Sequence, residues 1–283
     1  MLVLHDAADW LGRVSGIESS RVCLTVASLI ACSGVYALSK HVLLKRMKQT
    51  PPKLERAKFE IDCANRIVAT AHALFAFLSA MIAIMEGKRD TSHERVYEPN
   101  AVLVAQMSAS LGYFLWDSWW IYAHWENTAI FMQTVVHHIL ATMLCVLGMA
   151  EFMWFHATLA LTFELSTVFL HLSWFLRLFD QTASNWSTRL SGALFATSFF
   201  IVRFGGGSVL AYYVLLDTVP MQKRYFLHGI KDDFHFAYFA LAAQFVLFVA
   251  VALNFLWGAK IWRILKRTFS PRRPRQDAHP KQD

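Results

Sequence analysis

Seven uninterrupted apolar runs, near residues 22–44, 61–85, 101–123, 129–149, 152–178, 189–216 and 234–262, constrain this chain more than any other feature. As a helix, a run of about 20 apolar residues spans about 30 Å of hydrocarbon. Only helices and closed barrels satisfy every backbone polar group in lipid, and the short alternating segments of a membrane barrel are absent. Composition agrees with this reading. Of the 283 residues, 56% are hydrophobic and 17% charged, whereas a soluble domain has about 45–50% and 25%. A soluble enzyme and a disordered chain are thereby excluded, and an all-α, polytopic membrane protein with seven transmembrane helices is expected.

Lys and Arg in the short loops set the orientation. Lys45, Arg46, Lys48, Lys53, Arg56 and Lys58 lie between the first two runs, and Arg263, Lys266, Arg267, Arg272, Arg273, Arg275 and Lys281 lie at the tail. The other side holds fewer: Arg13 and Arg21, then Lys88, Arg89 and Arg95, then Lys223, Arg224 and Lys231. With seven spans, the N-terminus is expected in the lumen and the C-terminus in the cytosol. Asn185-Trp186-Ser187, a glycosylation sequon, then faces the cytosol and is expected to be unmodified. Asp6, Asp9 and Glu18 precede the first run where a cleaved signal peptide would be basic, so that run is expected to remain. The formal charge of +7 belongs to residues beside the spans, which fits orientation and anionic lipid and leaves no nucleic acid among the expected partners. Cys23, Cys32, Cys63 and Cys145 all fall inside runs, as buried free thiols do.

Ionisable side chains inside hydrocarbon are costly, so each marks a candidate functional position. The second run carries Asp62, Asn65, Arg66 and His72; the third Tyr113 and Asp117; the fourth His137 and His138; the fifth Glu164 and His171; the sixth Arg203. At 1.5 Å per residue from the cytosolic end, Arg66, Asp117, His137, His138 and His171 come out about 8 to 14 Å deep, and Glu164 and Arg203 about 21 Å. The spacing predicts a polar cavity among spans two to six, opening to the cytosol, with Glu164 and Arg203 as an ion pair near its floor. Asn65 and His72, like Glu164 and His171, are seven apart and are expected on one helix face, while Asp62–Arg66 and Tyr113–Asp117 are i,i+4 pairs. His137 and His138 differ by about 100° around their helix, so one is expected to face the reacting atom and the other to orient or pack.

No metal site is expected, because one adjacent histidine pair lacks the ligand count that a di-iron or zinc centre needs. Walker-A, GxSxG and HExxH patterns are also absent. Gly205-Gly206-Gly207 beside Arg203 fits close helix packing, or else a loosened sixth helix whose backbone a ligand approaches, and Trp116, Trp119, Trp120 and Trp125 are expected in an interfacial aromatic belt.

Asn65-Arg66 followed by Thr70-Ala71-His72-Ala73, Gly112-Tyr113-Phe114 with Asp117, Val136-His137-His138-Ile139, and Glu164-Leu165-Ser166-Thr167 leading to Trp174 resemble, in order and on separate helices, the signatures of the TLC-domain family. The resemblance covers residues 55–265 and implies a six-helix TLC-type bundle. Residues 1–54 are then the lumenal N-terminus, first helix and basic cytosolic loop, and residues 266–283 a basic cytosolic tail. The family includes ceramide synthases, which join an acyl group from acyl-CoA to a sphingoid amine in the endoplasmic reticulum. His137 and His138 match their His-His pair. The His-Asp-x-Ser-Asp stretch of those synthases is replaced here by Glu164-Leu165-Ser166-Thr167, so the match is to the small single-domain members linked to membrane lipid composition.

The resemblance thus implies an endomembrane protein of lipid metabolism or homeostasis, in the endoplasmic reticulum or else at the plasma membrane. Two mechanisms follow. In one, His137 or His138 acts as base or nucleophile, oriented by Asp117, and an acyl group passes from acyl-CoA to a lipid amine or hydroxyl. Asn65, Arg66, His72, Tyr113, Glu164, His171 and Arg203 then bind substrate, with Arg203 or Arg66 at the oxyanion. In the other, the same cavity binds a lipid without chemistry and regulates lipid composition or traffic. The partners expected are membrane lipids and acyl-CoA as co-substrate, with a second copy of the chain as a further candidate; no cofactor is expected.

Overall fold

The computed structural model describes residues 19–43, 56–124, 129–179, 186–228 and 234–269, which hold helices and, among the described residues, no strand. Asn185, Trp125, the basic residues 45–53 and the tail beyond residue 269 lie outside the described residues. In chain order the helices are α1 (Ser19–Leu38), α2 (Arg56–Glu86), α3 (Ser92–Tyr97), α4 (Ala101–Ala123), α5 (Ala129–Met149), α6 (Trp154–Leu161), α7 (Leu165–Phe179), α8 (Trp186–Phe199), α9 (Gly206–His228) and α10 (Phe234–Phe269). Two joins are irregular. A 3-10 turn, Thr162–Glu164, links α6 to α7, and a π-helical segment, Phe200–Gly205, links α8 to α9.

Large apolar side chains point outward on the long helices, among them Ile30, Leu78, Ile139, Ile201, Phe248 and Phe255, each more than half exposed. Only a lipid surround makes that arrangement favourable. Six spans are long and apolar enough to cross a membrane: Ser19–His41, Arg56–Glu86, Phe131–Met149, Trp154–Leu178, Trp186–Arg224 and Ala240–Lys266. The expected count of seven is therefore corrected to six, because α4, the third run, falls short in apolar character.

The reason is visible in what α4 carries. Its polar residues Gln106 and Ser110 are buried against α2: Gln106 Nε2 donates to the Ala76 carbonyl at 2.8 Å and Ser110 Oγ lies 3.2 Å from His72 Nε2, while at the helix start the partly buried cap residue Asn100 donates from Nδ2 to the Ala83 carbonyl at 3.0 Å. These rungs pin α4 along α2. On its other side Ser28 Oγ of α1 donates to the Ala109 carbonyl at 2.6 Å. A less hydrophobic helix can sit inside the bundle because its neighbours cover it and pair several of its polar groups, although Gln106 Oε1, Asp117 Oδ1 and Trp120 Nε1 stay buried without a hydrogen bond.

The α1–α4 contact has no room for a methyl group. A Cβ on Gly112 would lie 2.3 Å from the Thr25 carbonyl oxygen and 2.7 Å from Ser28 Cβ, atoms that no side-chain rotation can move. Gly112→Ala is expected to cost about 1 to 3 kcal/mol by overpacking and to lower the unfolding midpoint in detergent. Gly34→Ala, where a Cβ meets nothing within 4 Å, is the matched control and should not lower it.

One end of the bundle is tied by a short polar strap. Thr91 and Glu94 form a reciprocal capping box on α3, and the backbone N–H of Thr91 donating to the Glu94 carboxylate holds that group below its usual range. Arg95 of α3 then reaches into the bundle, donating from Nε and Nη2 to Asp217 of α9 at 2.9 and 2.5 Å. Hydrogen bonding to that carboxylate raises Arg95 above the usual arginine value. Met153 N–H donates to the Val96 carbonyl at 2.8 Å, and both Glu151 and Met153 adopt left-handed φ values of 59° and 52° to make the tight α5–α6 turn. Arg21 of α1 bonds the same turn through Glu151 and the Met149 carbonyl. Of the tryptophans, Trp119 is 63% exposed, as a belt residue is, whereas Trp116 is buried against Tyr36.

Candidate functional site

The two helix irregularities meet each other, and the polar residues they carry form one end of a cavity. A Cβ on Gly206 would lie 3.3 Å from the Phe163 ring, so the second glycine of the triplet lets the π segment pack on the 3-10 turn. The π segment aims Arg203 at that turn: Nε donates to Ser166 Oγ at 3.0 Å, and Nη2 stands 3.9 Å from Glu164 Oε1. Thr167 Oγ1 donates to the other carboxylate oxygen, Oε2, at 3.0 Å. From α5, His137 Nε2 comes within 3.7 Å of Glu164 Oε1. The expected Glu164–Arg203 pair is thus present, and His137 joins it.

These groups line a cavity of about 110 Å³ between α5, α6, α9 and α10. Its polar end holds His137, Glu164, Arg203, Asn254 and Trp257; along its length run aliphatic residues including Leu144, Leu147, Leu210, Val214 and Leu247. The Arg203 guanidinium lies 5.5 Å from the Trp257 ring centroid and 5.6 Å from that of Phe199. Trp257 is in turn anchored by its Nε1–H donating to Gln133 Oε1 at 2.9 Å. Stacking of a guanidinium on aromatic faces holds its charge in place without consuming its N–H donors.

The adjacent histidines have different surroundings. His138 Nε2 lies 2.7 Å from Asp117 Oδ2, and its Nδ1 lies 2.8 Å from the Thr134 carbonyl. Both ring nitrogens therefore face acceptors, which leaves neither free for a substrate proton. Asp117 Oδ2 also accepts from Tyr113 Oη at 3.2 Å, and the Tyr113 ring stacks on His72 with centroids 3.7 Å apart. This chain of contacts lies behind the cavity wall and positions α5. His137, whose side chain is 27% exposed and which lines the cavity, is the histidine with access to a ligand.

The remaining candidates sit elsewhere. His171 Nδ1 is 2.9 Å from Thr70 Oγ1, joining α7 to α2, and Arg66 stacks over Trp174 at 4.2 Å from its ring centroid. Asn65 Oδ1 is buried without a hydrogen bond. None of Asn65, Arg66, His72, Tyr113 or His171 lines the cavity. Glu164 and His171, expected on one face, meet different neighbours: Glu164 faces His137 and Arg203, whereas His171 reaches Thr70 of α2. The polar residues therefore form a cavity face and two interhelical clusters.

Sequence reasoning missed Asn254, Trp257 and Gln133 at the polar end, and the buried cluster of Arg95, His156 and Asp217 near the opposite end. His156 Nε2 is 3.0 Å from Asp217 Oδ2, and His156 lines the cavity. Asp217 lies beyond the end assigned to the sixth run, and Arg95 was counted among loop residues. The signal for both was the continuation of apolar residues on either side of Asp217. Among the described residues no group of three His, Cys, Asp or Glu side chains is placed to hold a metal ion.

No curated protein and no solved structure matches the chain. A family model described as TLC domain matches residues 62–263, which takes in the cavity, its polar end and the His138–Asp117 support, and leaves α1 outside. The chain, an all-α polytopic membrane protein, belongs to the TLC-domain family.

Proposed function

We propose that this protein acts in membrane lipid metabolism by transferring an acyl group from acyl-CoA to a lipid amine or hydroxyl inside the cavity. The observation that carries the reading is the convergence of His137, Glu164 and Arg203 at one end of a largely apolar intramembrane chamber. The aliphatic lining suits the part of an acyl chain next to its carbonyl, and that reactive carbonyl belongs at the polar end. His137 takes the proton from the attacking amine or hydroxyl as the new bond to the thioester carbonyl carbon forms. Collapse of the tetrahedral intermediate breaks the carbon–sulfur bond, and the departing CoA thiolate takes the proton back from the imidazolium. Glu164 orients His137 and stabilises its charged form, and Arg203 faces the developing oxyanion. His138, Asp117, Tyr113 and His72 position α5.

The endoplasmic reticulum is the location in keeping with the family, and an N-terminus in the lumen with a C-terminus in the cytosol is in keeping with the loop charges once α4, covered by α1 and α2, is counted as a seventh crossing helix. Purified protein in lipid nanodiscs, given mixed acyl-CoAs and a total lipid extract, is expected to release CoA thiol and to form a new acyl lipid. Absence of both, with a defined lipid copurifying, would instead support the second reading, a lipid-binding regulator without chemistry. That reading draws on the long apolar part of the same cavity, and under it His137→Gln retains function.

A further inference from the structure

Asn254 is a polar residue in the middle of α10, a helix whose neighbouring turns are apolar, and it is only 7% exposed. It lines the cavity with Arg203 and Trp257, and among the described residues its amide makes no hydrogen bond. Burying an amide without a partner is costly, and the cost is removed when a ligand supplies one. Apart from His137, the base of the proposed reaction, the other polar groups at this end are already committed or donate only. The Trp257 indole N–H goes to Gln133, and Glu164 accepts from Thr167. Arg203 uses Nε on Ser166, while its terminal nitrogens stop 3.9 Å or more short of the nearest Glu164 oxygen, beyond hydrogen-bond reach. Two sets of unused N–H donors, from the guanidinium and the amide, thus meet at the head of an aliphatic chamber.

We propose that Asn254 and Arg203 together form a carbonyl-binding site for the acyl group of a single-chain lipid, with Asn254 as the residue that sets this preference. A carbonyl or carboxylate oxygen accepts from both groups, whereas a bare alkyl chain leaves both unsatisfied, and a site built to make such bonds rejects an analogue that lacks them. A fatty acid, an acyl thioester and a lysophospholipid ester all present this oxygen. The inference deepens the acyl-transfer reading by naming the part of the substrate that is recognised, but it is a statement about binding and is read without turnover.

The test is displacement of a photoactivatable palmitate from the full-length protein in nanodiscs by palmitate, palmitoyl-CoA, palmitoyl-lysophosphatidylcholine and hexadecane. The variants are Asn254→Leu, which keeps the branching at Cγ without polar atoms, and Asn254→Asp, which keeps the shape but removes the N–H donors. In the wild type at least one carbonyl competitor is expected to displace the probe at about tenfold or more lower concentration than hexadecane; which one does so identifies the source of the acyl group. Both variants are expected to lose that advantage while hexadecane competes as before, which shows that the cavity is intact. An unchanged advantage in Asn254→Leu overturns the proposal, as does an equal loss for hexadecane, which would make Asn254 a packing residue. Wild-type protein that binds palmitate selectively but releases no CoA refutes acyl transfer and leaves the carbonyl site standing.

Discussion

Asp217→Ala is expected to destabilise the bundle by about 3 to 5 kcal/mol, the cost of leaving a buried charge without its partner. The Arg95 side chain is 5% exposed and that of Asp217 is fully buried, and the pair is bidentate. Removing the carboxylate strands the guanidinium against the Tyr213 ring, 5.0 Å away, with only the Ser92 hydroxyl and the carbonyls of Arg89 and Asp90 to satisfy it. The same deletion takes away the group beside His156. Replacing both partners, as Arg95→Met with Asp217→Leu, removes the stranded charge, and the double variant should recover most of the loss. Denaturant unfolding of the purified protein in detergent measures all three. A double variant no more stable than Asp217→Ala would mean that α3, not charge pairing, carries the energy.

His137→Ala is expected to lower CoA release by about 10²-fold or more, the range for loss of a positioned base, while leaving the unfolding midpoint near that of the wild type. His137 lines the cavity and its nearest carboxylate oxygen is 3.7 Å away, so its loss breaks no buried ion-pair hydrogen bond and removes only edge-on contacts with Trp257, Phe114 and His138. His138→Ala should behave differently. It removes the 2.7 Å contact with Asp117 and leaves a buried carboxylate short of a partner, costing about 1 to 3 kcal/mol of stability. Activity then falls together with the fold. Measuring midpoint and CoA release on the same preparations separates the two roles, and equal behaviour of the two variants would contradict their assignment.

Much of this molecule was legible in its residues. Apolar runs locate the long helices, because a backbone in lipid has few alternatives. The intramembrane cost of Asp117, His137, His138, Glu164 and Arg203 marks them before any coordinate is known. The third run shows the limit of the same logic. Hydropathy averages over all faces of a helix, so α4 scores as less apolar although Gln106, Ser108, Ser110 and Asp117 are all buried among its neighbours.

The sequence by itself determined the solvent of this protein, its helical class and the set of costly side chains. Tertiary structure alone decided which of them meet. A 3.6-residue period places a side chain on a helix face only while the helix is regular, and the site is built where regularity fails, at Thr162–Glu164 and Phe200–Gly205. Those segments turn Glu164 and Arg203 toward His137, and Asp117 takes His138 out of contention by reaching across from α4. Asn254 carried no distinguishing pattern in the chain, and Asp217 only the apolar residues around it, because their importance comes from neighbours tens or more than a hundred residues away.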